Sequence, residues 1–206
     1  DTFYRGFERQ LRRLILQDTL GDDYVIEPWV SLPAALRLPE AGGWGVRLAH
    51  GKSDAASGAF TVDPPLKELG DFDQMVEPIH RVDEDETSRR ASRLAEALDG
   101  HLEIEVDRSP FWSEWHADLS TDVAQLRGIE QIFWDMMDHP TWLHRLLGFM
   151  RDGILKAQKE ADDAGHYRLS NHYNQSMPFA EEFDYPEAGN KPVGRKSLWV
   201  FMASQE

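Results

Sequence analysis

The sequence predicts an α/β fold built on a mainly parallel sheet, and three observations carry that expectation. Short strand-like runs such as Leu102–Val106 alternate with longer segments of helical period. Glycines stand where several helical patterns stop, at Gly21, Gly100 and Gly165. The chain has 206 residues, 41% of them hydrophobic and 29% charged, which suits one domain over residues 1–206 with its own core. The strand-loop-helix rhythm fits a closed barrel or a doubly wound open sheet, and periodicity does not choose between them.

The elements follow in order. Phe3, Phe7, Leu11, Leu14 and Ile15 recur at helical spacing and predict an amphipathic helix ending near Gly21. Asp23–Glu27 is expected to be a short strand stopped by Pro28, and Ser31–Gly43 a loop. Trp44–His50 and Ala59–Val62 are expected to pair as strands across the Gly/Ser-rich turn Lys52–Gly58. The acidic run Asp83–Glu86 opens a helix with Ala91, Leu94, Ala95 and Leu98 on its apolar face. After the strand at Leu102–Val106, a helical region runs from about Leu119 to Met137, with a break expected at Gly128. Pro140 suits the first turn of the next helix, whose Leu143, Leu147, Met150, Ile154, Ala157 and Ala161 define one buried face. A weak strand at Tyr167–Ser170 is followed by a polar loop, 171–196, long enough to be a lid, and by a last strand at Ser197–Met202.

Composition narrows the function. Lys+Arg total 22 against Asp+Glu 37, a formal net charge of −15, so binding to nucleic acid or an anionic membrane through a general positive field is not expected. An anionic ligand would need local cations to overcome that background. The absence of cysteine excludes disulfides, zinc-thiolate sites and cysteine nucleophiles within the chain and is compatible with a cytoplasmic enzyme. No apolar run approaches a membrane span, and no signal peptide opens the sequence. The chain lacks an opening Met and closes on a buried-looking strand, so it is expected to be part of a longer protein.

In α/β folds ligands sit at the C-terminal ends of strands. Three stretches qualify: Asp23–Trp29, Asp107–Asp118 and Ser170–Gln175. In the second, Glu114, His116 and Asp118 offer an acid/base or metal cluster, and Phe111, Trp112 and Trp115 offer flat apolar walls. The structural alternative, with the aromatics packed under the next helix and Asp118 or Ser120 capping it, stands level with this reading. The third offers Asn171 and His172 beside Tyr173, Asn174 and Gln175, a ligand-binding cluster or, more commonly, a solvated loop. His116 and His172 together give only a weak metal signal, since nothing in the sequence fixes their distance. Trp134–His144 is expected to be a helix-turn-helix joint whose Trp and Met residues are core. Arg12, Arg13, Arg89 and Arg90 are expected to face water.

The Ile129–Leu155 segment resembles the helical region of the uroporphyrinogen decarboxylase superfamily, in which a helix, an acidic residue and a proline precede a second apolar helix. Asp23–Pro28, Val62–Asp73 and Leu198–Glu206 resemble other pieces of that family in matching order. The resemblance implies a (β/α)8 TIM-barrel fold, incomplete in this chain because such barrels need about 250 residues. It implies an enzyme: a methyltransferase that exchanges methyl groups with a corrinoid held by a partner protein, or a porphyrinogen decarboxylase. A non-catalytic binding domain is the third reading.

By this resemblance Asp23 matches the decarboxylases' essential aspartate. His116 stands where they keep a tyrosine, which weakens the decarboxylase reading. Trp112, Glu114, Trp115, Asn171, His172 and Ser204 are the expected substrate contacts. Zinc and a corrinoid are the implied cofactors, with the zinc ligands expected beyond Glu206. A small-molecule substrate, a corrinoid protein and a second copy of the chain are the expected partners. The excess of acidic residues argues against a substrate rich in carboxylates and favours the methyltransferase reading.

Overall fold

The computed structural model describes residues 1–21, 26, 29–51, 61–112 and 117–167. In chain order the elements are α1 (Thr2–Asp18), β1 (Trp29–Pro33), β2 (Ala49–Gly51), β3 (Thr61–Asp63), a 3₁₀ helix (Leu69–Gln74), α2 (Glu84–Leu98), β4 (Glu103–Asp107), α3 (Leu119–Arg127), α4 (Ile129–Asp138) and α5 (Pro140–Asp163). They fall into two compact units. The first takes Asp1–Ala35, Val82–Ser109 and the segment from Asp162 onward; the second takes Leu36–Arg81 and Pro110–Ala161.

The first unit is built on the β1–β4 ladder. The two strands are parallel, with Val30 opposite Ile104 and Leu32 opposite Val106. Side chains alternate across a strand, so these four share one face. Val30, Leu32 and Leu94 of α2 form a buried cluster, against which Phe3, Phe7 and Leu11 of α1 and Ala91 and Leu98 of α2 pack. Full burial of such an aliphatic side chain contributes about 1.5–3 kcal/mol. Asp1 caps α1 by accepting from Phe3 N–H at 3.0 Å, and its other oxygen takes the Arg93 guanidinium of α2 at 2.6 Å. That guanidinium also lies 4.8 Å from the centre of the Phe3 ring, a cation–π contact that joins the two helices. The predicted α2 boundaries hold: Asp83 is the N-cap, Glu84–Glu86 fill the first turn and Asp99 closes the helix in the left-handed conformation.

The second unit has a larger, aromatic core. Trp44, Leu66, Phe72, Trp112, Leu126, Leu146, Met150 and Ile154 belong to one buried cluster. The face predicted for α5 is buried at Leu143, Met150, Ile154, Ala157 and Ala161, with Leu146 rather than Leu147 completing it. The break expected at Gly128 is real. Its φ is +87°, and a Cβ there would lie 3.2 Å from Pro64, so glycine both permits the turn between α3 and α4 and makes room for it. The expected hairpin also forms, but only Ala49–Gly51 and Thr61–Asp63 pair, antiparallel.

Three expectations are corrected. The (β/α)8 barrel, complete or partial, is not formed by the described residues: they hold one parallel pair, one three-residue antiparallel pair, five α-helices and a 3₁₀ helix. Alternation fails because α3, α4 and α5 follow one another with no strand between them. It fails again at Trp44–Leu48, where Gly45 turns the chain at φ +74° and leaves no space for a side chain, a Cβ there falling 2.6 Å from Val76. The loop expected from Ser31 is preceded and partly replaced by strand β1, because Val30 and Leu32 have an apolar face to fill. The Trp and Met residues of α4 are not core: Trp134, Met136 and Met137 are exposed. The reason is angular. Asp135 is the fully buried residue of this helix, and at about 100° per residue its neighbours turn away from the interior.

The strands expected at Tyr167–Ser170 and Ser197–Met202, and the loop 171–196, lie outside the described residues apart from Tyr167, which is buried. No described helix is long and apolar enough to cross a membrane.

Candidate functional site

The parallel ladder of the first unit has a second face. Opposite Val30 and Leu32 lie Ser31 and Pro33 of β1, and opposite Ile104 and Val106 lie Glu105 and Asp107 of β4. With Trp29 and Glu103 at its start, this face is mixed, apolar and acidic, rather than an aliphatic core face. Glu105 is nonetheless only 8% exposed. A carboxylate withdrawn from water needs polar or charged neighbours, and the charge of Glu105 is among the influences that raise the pKa of Arg108.

The C-terminal ends of both strands are pinned to the start of α2. Ala34 N–H donates to the Asp107 carbonyl at 2.7 Å, extending the ladder past β1. Ala35 N–H donates to Thr87 Oγ1 at 3.0 Å, and that hydroxyl donates in turn to the Asp83 carbonyl at 2.7 Å. Asp83 N–H returns to the Ala35 carbonyl at 2.7 Å. Thr87 is buried, so its one hydroxyl links the strand end to the first turn of the helix in a water-poor place. Beyond β4, Asp107 Oδ1 accepts from Ser109 N–H at 2.9 Å, setting the turn by which the chain leaves the strand.

Arg108 and Glu84 form a two-pronged pair, with Nε and Nη2 each 2.9 Å from a carboxylate oxygen. The Arg108 hydrogen bonds hold the Glu84 carboxyl below its ordinary value, assisted by the charges of Arg108 and His166, and the same bonds raise Arg108. The strand-end rule therefore leads to a hydrogen-bonded edge with Glu105 and Asp107 on its polar face and an ionised Arg108–Glu84 pair beside it.

Of the residues expected at the site, Phe111, Trp112 and Asp118 are among the described ones; Asp23, Glu114, Trp115, His116, Asn171, His172 and Ser204 lie outside them. Trp112 is 1% exposed. Its indole N–H donates to Asp122 Oδ2 at 2.9 Å, and Trp44 donates to the same oxygen at 2.7 Å. Gln158 Nε2 donates to its carbonyl at 3.0 Å. The ring also borders a narrow space with Phe111, Pro110 and His80 that leaves no room for a water-sized group. The surroundings of Trp112 are those of a core residue. Asp118 takes the capping role: Oδ1 accepts from Ser120 N–H and Oγ at 2.9 and 2.6 Å, and Oδ2 from Thr121 Oγ1 at 2.6 Å. The side-chain hydroxyls hold its carboxyl low, which suits a fixed cap.

Two clusters escaped the sequence reading. One is the indole pair on Asp122. The other is Arg127, 4% exposed, with Asp135, 0% exposed. Arg127 Nε and Nη2 reach the two Asp135 oxygens at 2.7 and 3.0 Å, while Nη1 donates to the Leu66 and Lys67 carbonyls at 2.8 and 2.7 Å. The Trp142 ring lies 4.8 Å from the guanidinium carbon. The Arg127 hydrogen bonds hold the Asp135 carboxyl low, with a further contribution from Gln131. With this much of its hydrogen-bonding capacity engaged, the pair is a tether rather than a reaction centre. The alternation of acidic and apolar residues in Glu103–Asp107 was the one available signal for the polar strand face.

Among the described residues no three His, Asp or Glu side chains converge to hold a metal, so they do not supply a zinc site. Protein-family models, curated proteins and solved structures give no match to the chain.

Proposed function

We propose that this protein is an enzyme of the uroporphyrinogen decarboxylase superfamily. Within it we propose a methyl-transferring member that works in the cytoplasm with a corrinoid carried on a partner protein. The observation that carries the reading is the order of four motifs along the chain, Asp23–Pro28, Val62–Asp73, Ile129–Leu155 and Leu198–Glu206. The helix–acid–proline–helix element among them is supported by the break between α4, ending at Asp138, and α5, starting at Pro140. The methyl-transfer version draws further support from charge. Glu103, Glu105 and Asp107 alternate along β4, a poor neighbourhood for a substrate rich in carboxylates.

In this reading Asp23 is an electrostatic partner and His116 binds ligand or moves a proton, with Glu114, Trp115, Asn171, His172 and Ser204 contacting substrate. The corrinoid would supply the methyl carrier, and the residues of this chain would position the acceptor and manage its proton. Incubation of the full-length protein with methylcobalamin and a panel of thiols is expected to give a methylated thiol. His116→Ala and Asp23→Ala are expected to lower that rate by about 100-fold, the scale of a lost proton-transfer group. Turnover of uroporphyrinogen in place of thiol methylation would overturn the reading in favour of decarboxylation. Rates unchanged in both variants would mean these residues have no catalytic part.

A further inference from the structure

We propose that the groove between α1 and β1 holds the anionic group of a small molecule, a carboxylate or a phosphate, through Arg9 and Arg13. The groove has a volume of about 420 Å³ and is lined by Gly6, Phe7, Arg9, Gln10 and Arg13 of α1 and by Ser31 and Pro33 of β1. Gly6, Arg9, Gln10 and Arg13 are three, four and seven apart, so they form one stripe along a single side of α1, with Phe7 beside it. All of it belongs to the first unit.

The observation that points to a ligand is an imbalance of charge within that unit. Arg12, one position from Arg13, is paired with Glu8 at 2.8 Å. Arg89 and Arg90 share Glu86, Arg93 takes Asp1 and Arg108 takes Glu84. Arg5, Arg9 and Arg13 have no carboxylate within ion-pair distance among the described residues, and Arg9 and Arg13 are the two of these that line the groove. Like charges four residues apart on a helix repel by a few tenths of a kcal/mol. In a chain with 37 acidic residues and a net charge of −15, Arg9 and Arg13 both line the groove with no acid partner among the described residues.

Guanidinium groups match carboxylate and phosphate oxygens in a planar fork. Gln10 adds an amide donor between them in the stripe. Gly6 leaves the head of the stripe open, with nothing within 4 Å of where a Cβ would stand. Pro33 supplies an apolar wall at the strand end. Two guanidiniums suit one or two anionic groups, which fits a small ligand and not a polycarboxylate macrocycle.

The test is calorimetric titration of the full chain with inorganic phosphate and, separately, with acetate, at an ionic strength fixed by chloride. At least one is expected to bind saturably. Arg9→Gln/Arg13→Gln is expected to weaken that binding by about tenfold or more, the loss expected for charged hydrogen bonds. Arg89→Gln, which removes an exposed charge from α2 outside the groove, is expected to leave it unchanged. Binding of phosphate alone identifies a phosphate site, and binding of acetate alone a carboxylate site. Binding of neither, or equal affinity in the double variant and the parent, overturns the proposal. Since Arg9 and Arg13 are exposed, thermal unfolding of the variants is expected to match the parent, which checks that the fold is intact.

Discussion

The two units of this chain are stabilised in different ways. The first is a two-stranded parallel ladder with amphipathic helices on its apolar face, and its ion pairs, such as Arg93–Asp1 and Arg108–Glu84, are partly or largely solvated. The second places charged and indole groups inside: Arg127 on Asp135, and Trp44 and Trp112 on one oxygen of Asp122. Solvated pairs are worth about 0–1 kcal/mol each. Buried pairs do not add much over a hydrophobic replacement, but removing one partner strands the other. The first unit should therefore tolerate loss of its charges and respond to loss of aliphatic packing, whereas the second should be intolerant of single polar changes.

Asp135→Ala tests the contrast most strongly. It leaves Arg127 buried without its carboxylate, and the expected destabilisation is about 3–5 kcal/mol by urea unfolding. The pH dependence follows the same group. Asp135 has a depressed carboxyl, so its contribution is fully present above the ordinary aspartate value and is lost as pH falls through the lower folded value. Acid titration of parent and variant should converge at that low end. Curves that stay parallel would show that the pair is not the source.

Leu94→Ala comes next, at about 2–5 kcal/mol, because Leu94 is 1% exposed at the centre of the first unit's cluster. Amide exchange should accelerate in β1, β4 and α2 and leave the amides of α3 and α5 protected. Uniform acceleration in both units would mean that they unfold together and that the division into two stability regimes is wrong. Thr87→Val is the mildest of the three, at about 1–3 kcal/mol. It strands the buried Ala35 N–H, and the first amides to lose protection should be those of Ala35 and of Asp83, whose N–H donates back to the Ala35 carbonyl.

Much of the helical architecture was legible in the sequence. Asp83 and Asp118 cap because short acidic side chains satisfy the free N–H groups of a helix start, and Gly128 breaks because its φ of +87° strains any side chain and a Cβ there would crowd Pro64. Those are local causes, visible in a few adjacent residues. What the sequence did not disclose is tertiary. Nothing local says that Arg127 will reach Asp135, that one oxygen of Asp122 will take two indoles, or that a buried aspartate will turn Trp134 and Met137 outward. The barrel expectation failed for a related reason: Trp44–Leu48 has strand-like residues, yet Gly45 must turn where Val76 crowds it. Of the expected site, Phe111, Trp112 and Asp118 fall among the described residues; Asp118 caps a helix, and the aromatic character of Trp112, which suggested a ligand wall, serves the interior.

The ladder that defines the first unit joins positions far apart along the chain. Trp29 pairs with Glu103 and Pro33 with Asp107, while Leu36–Arg81 of the second unit lies between them in sequence. During synthesis β1 therefore emerges long before its partner strand exists, and its hydrogen-bonding edge and the apolar residues Val30 and Leu32 must wait. Loop closure of that span is an entropic toll that a local hairpin does not face. The second unit is likewise split, needing residues on both sides of β4 before its core can close. Neither unit can finish while the other's intervening segment is unmade. Slow, interleaved folding with a period of exposed strand edge is the kinetic signature that this topology imposes.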